Sequence, residues 1–439
     1  MLAVLADRTY RHLFFAQVVA LLGTGLVTVA LGLKAYDLAG ERAALVLGTV
    51  FTLKMVAYVL VAPVAGAFAD RVPRRTLLIA LDIVRALAAL ALPFVTELWQ
   101  VYALIIVLQS ASAAFTPIFQ ATIPDVLTDE ARYTRALSLS RLAYDLENIL
   151  SPTLAALLLM VVSFDTLFLG TVAGFAGSAA LVASVMLPSP RPVTRRGIHE
   201  RTTRGVRNYL RTPRLRGLLA LNLAAAAVGA MVLVNTVVLV RARLGLGESE
   251  VAVALGVFGC GSMLAALALP RLLEQVSERS LMLCGAALAS AALMLFAAAS
   301  GTIGLGWLGL LATWFVTGVG YSAIQTPSGR LLRRSSTPED RPALFAAQFA
   351  LSHACWLLTY PLAGWLLTWS GTVPTSLVLG GIAAAGIALA LLVWPAHDPE
   401  VLEHRHDDLP DDHPHVKNGR THAHPFVIDD EHARWPPRP

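Results

Sequence analysis

Eight of the eleven histidines in this chain lie from His397 onward, and six of them come in pairs with one residue between. The pairs are His404 and His406, His413 and His415, and His422 and His424, recurring every nine residues. Asp411-Asp412 and Asp429-Asp430 accompany the first and third units. Alternate residues of an extended chain point to the same side, so each pair can present two imidazoles to one metal ion. Imidazole suits Ni²⁺, Co²⁺, Zn²⁺ and Cu²⁺, with affinity rising through nickel to copper. The aspartates add hard oxygen ligands. A plain solvated end competes with this reading, because residues 396–439 hold too little apolar surface to build a core and are expected to be disordered. A cloning tag competes less well, since a nine-residue period mixed with Asp and Pro is unlike a contiguous histidine run.

A second set of chemically able residues lies inside long apolar runs, where each ionised group costs about 2.5–3.5 kcal/mol at a helix centre. Lys54 is one. Asp82 and Arg85, three apart, can neutralise each other. Arg141 and Asp145 share one helical face with Asn148, and the bland reading is a satisfied pair. Glu147 points about 200° away from Asp145 and has no partner on its own turn. It is the stronger candidate for a proton or cation site, shared with Lys54. His353 and Cys355 are two apart and face different ways, so they cannot grip one ion together. A lone membrane histidine is still more often functional than decorative, and His353 is a transport-path candidate by itself. Cys260, Cys355, Met231 and Met263 read as packing residues. Gln17, Gln109, Asn222, Asn235, Tyr321 and Gln325 can line a polar cavity or form helix–helix hydrogen bonds.

The elements that position these groups follow from composition. The chain has 439 residues, of which 56% are hydrophobic and 14% charged. Soluble domains carry about 25% charged residues, so a polytopic membrane protein is expected. Segments of about 20 apolar residues span a bilayer. Such segments fall near 13–36, 43–69, 76–96, 99–121, 135–162 and 165–187, then near 217–240, 250–271, 280–299, 302–325, 342–369 and 373–395. No removable signal peptide is expected ahead of the first. The three cysteines, Cys260, Cys284 and Cys355, all fall in spans, which excludes a disulfide framework.

Arginine sets the orientation. The odd-numbered connections hold only Arg42, Arg241 and Arg243, while the even-numbered ones hold Arg71, Arg74, Arg75, Arg132, Arg135, Arg271, Arg279, Arg330, Arg333, Arg334 and Arg341. Basic residues accumulate on the inner side, so both termini are expected in the cytoplasm. The linker 188–216 adds nine arginines, which either hold it against anionic lipid or only anchor topology. The net charge of +5 therefore points to a membrane surface and away from nucleic acid. The halves 1–187 and 217–395 repeat. A shift of 204 lays Gly66, Asp70, Arg71 and Arg75 on Pro270, Glu274, Gln275 and Arg279; a shift of 210 lays Thr116-Pro117 on Thr326-Pro327.

The elbow Gly66-Ala-Phe-Ala-Asp70-Arg71-Val-Pro-Arg74-Arg75 joins the second and third spans. Gly66 lets another helix approach closely. This segment resembles the G-x-x-x-D-R-x-x-R-R signature of major facilitator superfamily transporters at all five fixed positions. The resemblance implies an all-α membrane protein of twelve transmembrane helices in two pseudo-symmetric six-helix bundles, with a substrate site between them near the midplane. It also implies that Asp70 and Arg71 act in switching between inward and outward states. Phe115-Thr-Pro117, Ala136-Leu-Ser-Leu and Ser151-Pro152 resemble the branch of macrolide and siderophore exporters. The helix 4 arginine of many proton-coupled drug antiporters is absent, with Ile105 and Gln109 nearby instead. A member of this branch with a His-rich tail is similar to bacterial nickel-resistance exporters.

These resemblances imply a monomeric secondary transporter of a bacterial inner membrane, exporting a divalent cation, nickel first, in exchange for protons. A multidrug or macrolide exporter with an incidental tail is the alternative. A membrane metal sensor that transports nothing is a third reading. No G-x-x-x-x-G-K-[ST] loop is present, which argues against a nucleotide-driven pump. Nor does any catalytic constellation stand out.

Overall fold

The computed structural model describes residues 2–39, 43–69, 71–188, 198–302, 304, 306–406, 419–432 and 434–436. Six long helices form the first half: α1 (Arg8–Ala39), α2 (Ala43–Phe68), α3 (Arg74–Ala91), α4 (Leu98–Val126), α5 (Glu130–Leu159) and α6 (Phe164–Ala183). A shorter helix follows, α7 (Ile198–Arg211). The second half holds α8 (Pro213–Val238), α9 (Glu248–Leu272), α10 (Glu278–Thr302), α11 (Trp307–Gln325), a short α12 (Ser328–Arg334), α13 (Arg341–Ser370) and α14 (Thr372–Val393). Among the described residues, 11 helices are long and apolar enough to cross a membrane. The remaining long helix is α5, whose 30 residues carry Arg141, Asp145 and Glu147. It packs between α1 and α9, so twelve helices make up the two bundles.

Each bundle has its own apolar core. Ala-rich α8 is the axis of the second core, with Trp314, Trp356 and Trp394 packed around it. The first core is divided among smaller clusters, one around Tyr10, Phe119 and Tyr133 and another around Leu92, Ile105 and Phe168. In a bilayer, helices associate through packing rather than water exclusion, and small residues let backbones meet. Gly261 and Gly318 show why: a Cβ at either would lie 2.2 or 2.1 Å from the carbonyl oxygen of Phe315 or Phe258, so α9 and α11 touch backbone to backbone. Between the bundles, Ala62 and Ala113 pack against Phe349 and Ala350, with Tyr58 and Val61 alongside.

The internal repeat extends to individual contacts. Arg75 donates to the carbonyl oxygen of Ala183, at the end of the sixth helix of its half. Its counterpart Arg279 donates to the carbonyl of Trp394, 3.2 Å away, at the end of the sixth helix of the other half. Cationic donors suit helix C-termini, where carbonyls lack intrahelical partners.

Helix α7 occupies the second part of the linker and packs on both α2 and α13. One expectation changes: over its described residues the tail is not disordered. Strand β1 (Val401–Arg405) pairs antiparallel with β2 (Thr421–Pro425), with His404 opposite His422.

Candidate functional site

Gly66 ends α2 against the start of α13. A Cβ there would lie 2.6 Å from the Cβ of Ala346 and 3.2 Å from the carbonyl oxygen of Pro342. Beside this contact Arg74 begins α3 and Arg341 begins α13, and both ion-pair with one carboxylate, Asp125, near the end of α4. Arg74 and Asp125 belong to the first half and Arg341 to the second, so the shared carboxylate ties the halves together. A second tie lies alongside. Arg330 is 3.0 Å and Arg333 2.9 Å from Glu130, across the halves. Arg330 is also 2.9 Å, and Arg334 3.2 Å, from Glu278 within the second half. Together these contacts close the halves against each other at the arginine-rich end, in the position of a gate. Asp70 lies outside the described residues. Arg71 is exposed, its guanidinium 4.9 Å from the Phe68 ring centroid.

Valine at position 66 is expected to prop the gate open. The Ala346 methyl and the backbone of α13 face the glycine, so no flexible side chain can move aside to make room. Inter-half disulfide trapping between cysteines introduced at this end should fall several-fold relative to wild type. Unchanged trapping would show that Gly66 sets no close approach.

Deeper in the bundle, the structure separates the sequence candidates. Arg141 and Asp145 on α5 pair with each other and reach α9, where Ser262 donates to Asp145 over 2.7 Å and accepts from Arg141 over 3.1 Å. The Arg141 guanidinium also lies 4.8 Å from the Tyr321 ring centroid. This cluster therefore spans the two halves at mid-helix. Glu147 points toward α1, its Oε1 3.1 Å from where a Cβ on Gly25 would sit. Lys54 on α2 stands within electrostatic reach of both Glu147 and His353. Its ammonium lies 5.6 Å from the Tyr58 ring centroid, and Tyr58 meets His353 edge-on at 4.8 Å. The His353 Nδ1 hydrogen-bonds the Phe349 carbonyl at 2.7 Å. Lys54, Glu147 and His353 thus bring three ionisable groups from α2, α5 and α13 to one region between the halves.

Two candidates lie elsewhere. Asp82 and Arg85 are a buried pair inside the first half, the guanidinium 4.0 Å and 4.5 Å from the rings of Phe115 and Phe175. Residues of α3, α4 and α6 surround that pair within the first half. Asn235 donates to the carbonyl of Ala363 at 3.3 Å, a helix–helix bond within the second half.

The tail gathers five imidazoles. His404, His406 and His422 bring one ring nitrogen each within 4.8 Å of one another, and so do His404, His424 and His432. The cause is the strand register: the first and third repeat units face each other, while His413 and His415 fall in the connection, outside the described residues. Four of the rings are oriented by oxygen acceptors. Nδ1 of His404 meets Leu402 O at 3.0 Å, His422 meets Gly419 O at 3.0 Å, His424 meets Pro425 O at 2.9 Å and His432 meets an Asp429 carboxylate oxygen at 2.8 Å. A carbonyl or carboxylate can only accept, so Nδ1 carries the proton in the neutral ring and Nε2 carries the lone pair. This is the outer-shell arrangement that fixes histidine ligands.

The Nε2 atoms of His404 and His432 then face each other at 3.1 Å. Two lone pairs that close repel unless a cation lies between them. A tetrahedral Zn²⁺ at about 2.0 Å from each nitrogen would hold them about 3.3 Å apart. Burial, then the neighbouring histidines, push the His404 pKa below its ordinary value, against its hydrogen bond to Leu402. Burial opposes the charge on Asp429, but its bonds from His432 and Glu431 outweigh that and hold its pKa low.

Sequence reasoning missed Asp125, Glu130, Ser262 and His432. An acid directly after Pro124 reads as a helix end, and only an unmet demand for charge opposite Arg74 and Arg341 would have marked it. His432 stands outside the nine-residue period.

Two helical bundles are thus tied by ion pairs at one end, with ionisable groups held between them. The profile of the Major Facilitator Superfamily matches residues 13–308 and 219–425, and the chain belongs to that family. An uncharacterized MFS-type transporter of Bacillus subtilis (strain 168), YfiS, is 31% identical over 124 residues, which are 28% of this chain and 30% of that protein. Macrolide efflux protein A of Streptococcus pyogenes is 26% identical over 177 residues, 39% of this chain and 43% of that protein. The matched stretches thus cover less than half of either relative. Solved structures extend the likeness in fold. The human organic anion transporter MFSD10 (TETRAN) superposes with a TM-score of 0.73 at 13% identity, covering 87% of this chain and 99% of that one. A bacterial homologue of the iron transporter ferroportin in its outward-facing state gives 0.72 at 16% identity, covering 88% and 98%.

Proposed function

We propose that this transporter exports a divalent transition-metal cation, nickel first, across a bacterial inner membrane in exchange for protons. The arginine-rich face is read as cytoplasmic, by the charge rule for inner loops. The observation that carries the metal reading is the pair of histidine triples that share His404, each with one ring nitrogen per residue within 4.8 Å, four of the five rings having Nδ1 held by an oxygen acceptor. A tethered site at the inner face raises the local metal concentration at the entrance to the path. Glu147, with Lys54 beside it, is the proposed proton carrier, because a carboxyl between the halves can be protonated in one state and release its proton in the other. Asp145 is a weaker candidate, since Arg141 and Ser262 already hold it.

Calorimetry on the purified full chain should show tight binding of Ni²⁺, Cu²⁺ or Zn²⁺ at neutral pH. Alanine at His404, His406, His422, His424 and His432 together should remove at least about 100-fold in affinity. Binding should also weaken as pH falls. Unfolded histidines titrate near 6.5, while packing holds the folded His404 lower. The unfolded tail therefore takes up protons first. The His404 contribution to hairpin stability is complete above that ordinary value and is lost as pH falls from there through the folded value. Metal competes with the same protons. Absence of binding at neutral pH would end the metal reading.

The second reading is macrolide efflux, favoured by the match to macrolide efflux protein A. Growth of an exporter-deficient host expressing the chain separates the two. Resistance to Ni²⁺, Co²⁺ or Zn²⁺ supports the first, and resistance to a macrolide alone supports the second.

A further inference from the structure

Beyond the hairpin, the tail does not hang free over its described residues. Phe426 and Ile428 are each 3% exposed, and Asn208 of α7 donates to the Ile428 carbonyl over 3.2 Å. Phe426 packs edge-on against Trp435, which in turn lies 5.0 Å from the Arg214 guanidinium. Asp430 meets Arg204 of α7 at 2.6 Å. The same guanidinium grips Asp340 through two hydrogen bonds of 2.7 Å. Burial works against its charge, but the two carboxylates hold its pKa above the ordinary value.

These contacts bear on the gate. Asp340 immediately precedes Arg341, which pairs with Asp125 across the halves. Helix α7 packs on α2 of the first half and α13 of the second. A Cβ on Gly205 would lie 2.2 Å from the Ala343 carbonyl oxygen, so α7 lies flush on the start of α13. Whatever steadies α7 therefore steadies the closed gate. The tail reaches α7 through Asp430, two residues from His432. Asp429 sits between these functions: its carboxylate takes the backbone N–H groups of Glu431 and His432 and the His432 ring, at 2.8–2.9 Å.

We propose that metal held by the hairpin histidines, with His432 as the linking ligand, clamps the 426–432 segment onto α7 and so favours the state in which the halves are closed at this end. The proposal rests on the metal reading given above. Its thermodynamic basis is linkage: the docked tail contains the assembled imidazole set, and undocking pulls His432 away from His404. A ligand that binds one state better shifts the population toward it by that difference in affinity. Metal at the tail thereby becomes a signal to the gate as well as cargo in waiting.

Hydrogen exchange on the purified full chain in lipid nanodiscs, with and without Ni²⁺ at neutral pH, tests this. Metal should slow exchange in α7 and in the first turns of α13 by about ten-fold or more. At saturating Ni²⁺, Asp430→Asn should carry the wild-type amount of bound metal, with a weaker affinity because docking and binding are linked, and lose most of that slowing. His432→Ala should weaken both binding and slowing, because it removes a ligand and the link together. Wild-type protein that binds metal with α7 exchange unchanged would overturn the clamp while leaving the metal site intact. So would Asp430→Asn or His432→Ala protein slowed as fully as wild type. Failure of the wild type to bind metal would instead remove the metal reading, and the clamp with it.

Discussion

Asp125→Asn is expected to spring the gate and cut transport at least about ten-fold in a protein that still folds and inserts. Asp125 is a carboxylate that pairs with both Arg74 and Arg341, and all three side chains are largely covered, with 13%, 4% and 10% exposed. Losing one partner of a buried pair costs about 3–5 kcal/mol; partial exposure argues for the lower end. Asparagine also leaves two guanidinium groups facing each other. A bias of about 2.7 kcal/mol moves a two-state ratio about 100-fold, enough to empty the closed state if it is only moderately favoured. Spin-label distances across the arginine-rich end should lengthen in the variant, and uptake into vesicles should fall with them. The ties of Arg330 and Arg333 to Glu130 remain, so the halves should part less far than in a variant lacking both carboxylates. Unchanged distances would mean that this triad does not close the gate.

Glu147→Gln is expected to reduce pH-driven transport to the leak of empty vesicles. Glutamine keeps the shape beside Gly25 and cannot ionise, so a role in packing would survive and a role in proton transfer would not. The control is Asp145→Asn, which breaks a cluster already satisfied by Arg141 and Ser262 and should impair both directions of exchange through poorer contact between the halves. Counterflow with equal pH on both sides needs no net proton movement. It should persist in Glu147→Gln and weaken in Asp145→Asn. Wild-type proton exchange in the glutamine variant would remove Glu147 from the path.

The membrane helices were legible because a bilayer demands one thing of a segment, a sufficient apolar length, and that is written locally. The elbow was legible for a similar reason, since Gly66 and its arginines are crowded into ten residues. Helix α7 was not. Its 14 residues carry Arg201, Arg204, Arg207 and Arg211, so it reads as a charged linker; only packing on α2 and α13 shows that one face is a seat. Asp125 was hidden because its meaning lies in two arginines 51 and 216 residues away. The tail was half legible. Its period singled out imidazole pairs, whereas strand register brings the first and third units together. The partner that links them to α7, His432, obeys no period at all.

Helix α5 has a consequence for how the chain is made. With Arg141, Asp145 and Glu147 on one segment, it is a poor candidate to enter the bilayer on its own, each charge opposing insertion by about 2.5–3.5 kcal/mol near the centre. The groups that relieve those charges arrive at different times. Lys54 and the α1 surface beside Glu147 are synthesised earlier, whereas Ser262 and Tyr321 are synthesised more than a hundred residues later. Between those moments the Arg141–Asp145 pair has only itself and whatever the insertion machinery offers. Helix α5 should therefore linger at the translocon until α9 is made, and the first half expressed alone should be recovered with α5 incompletely inserted.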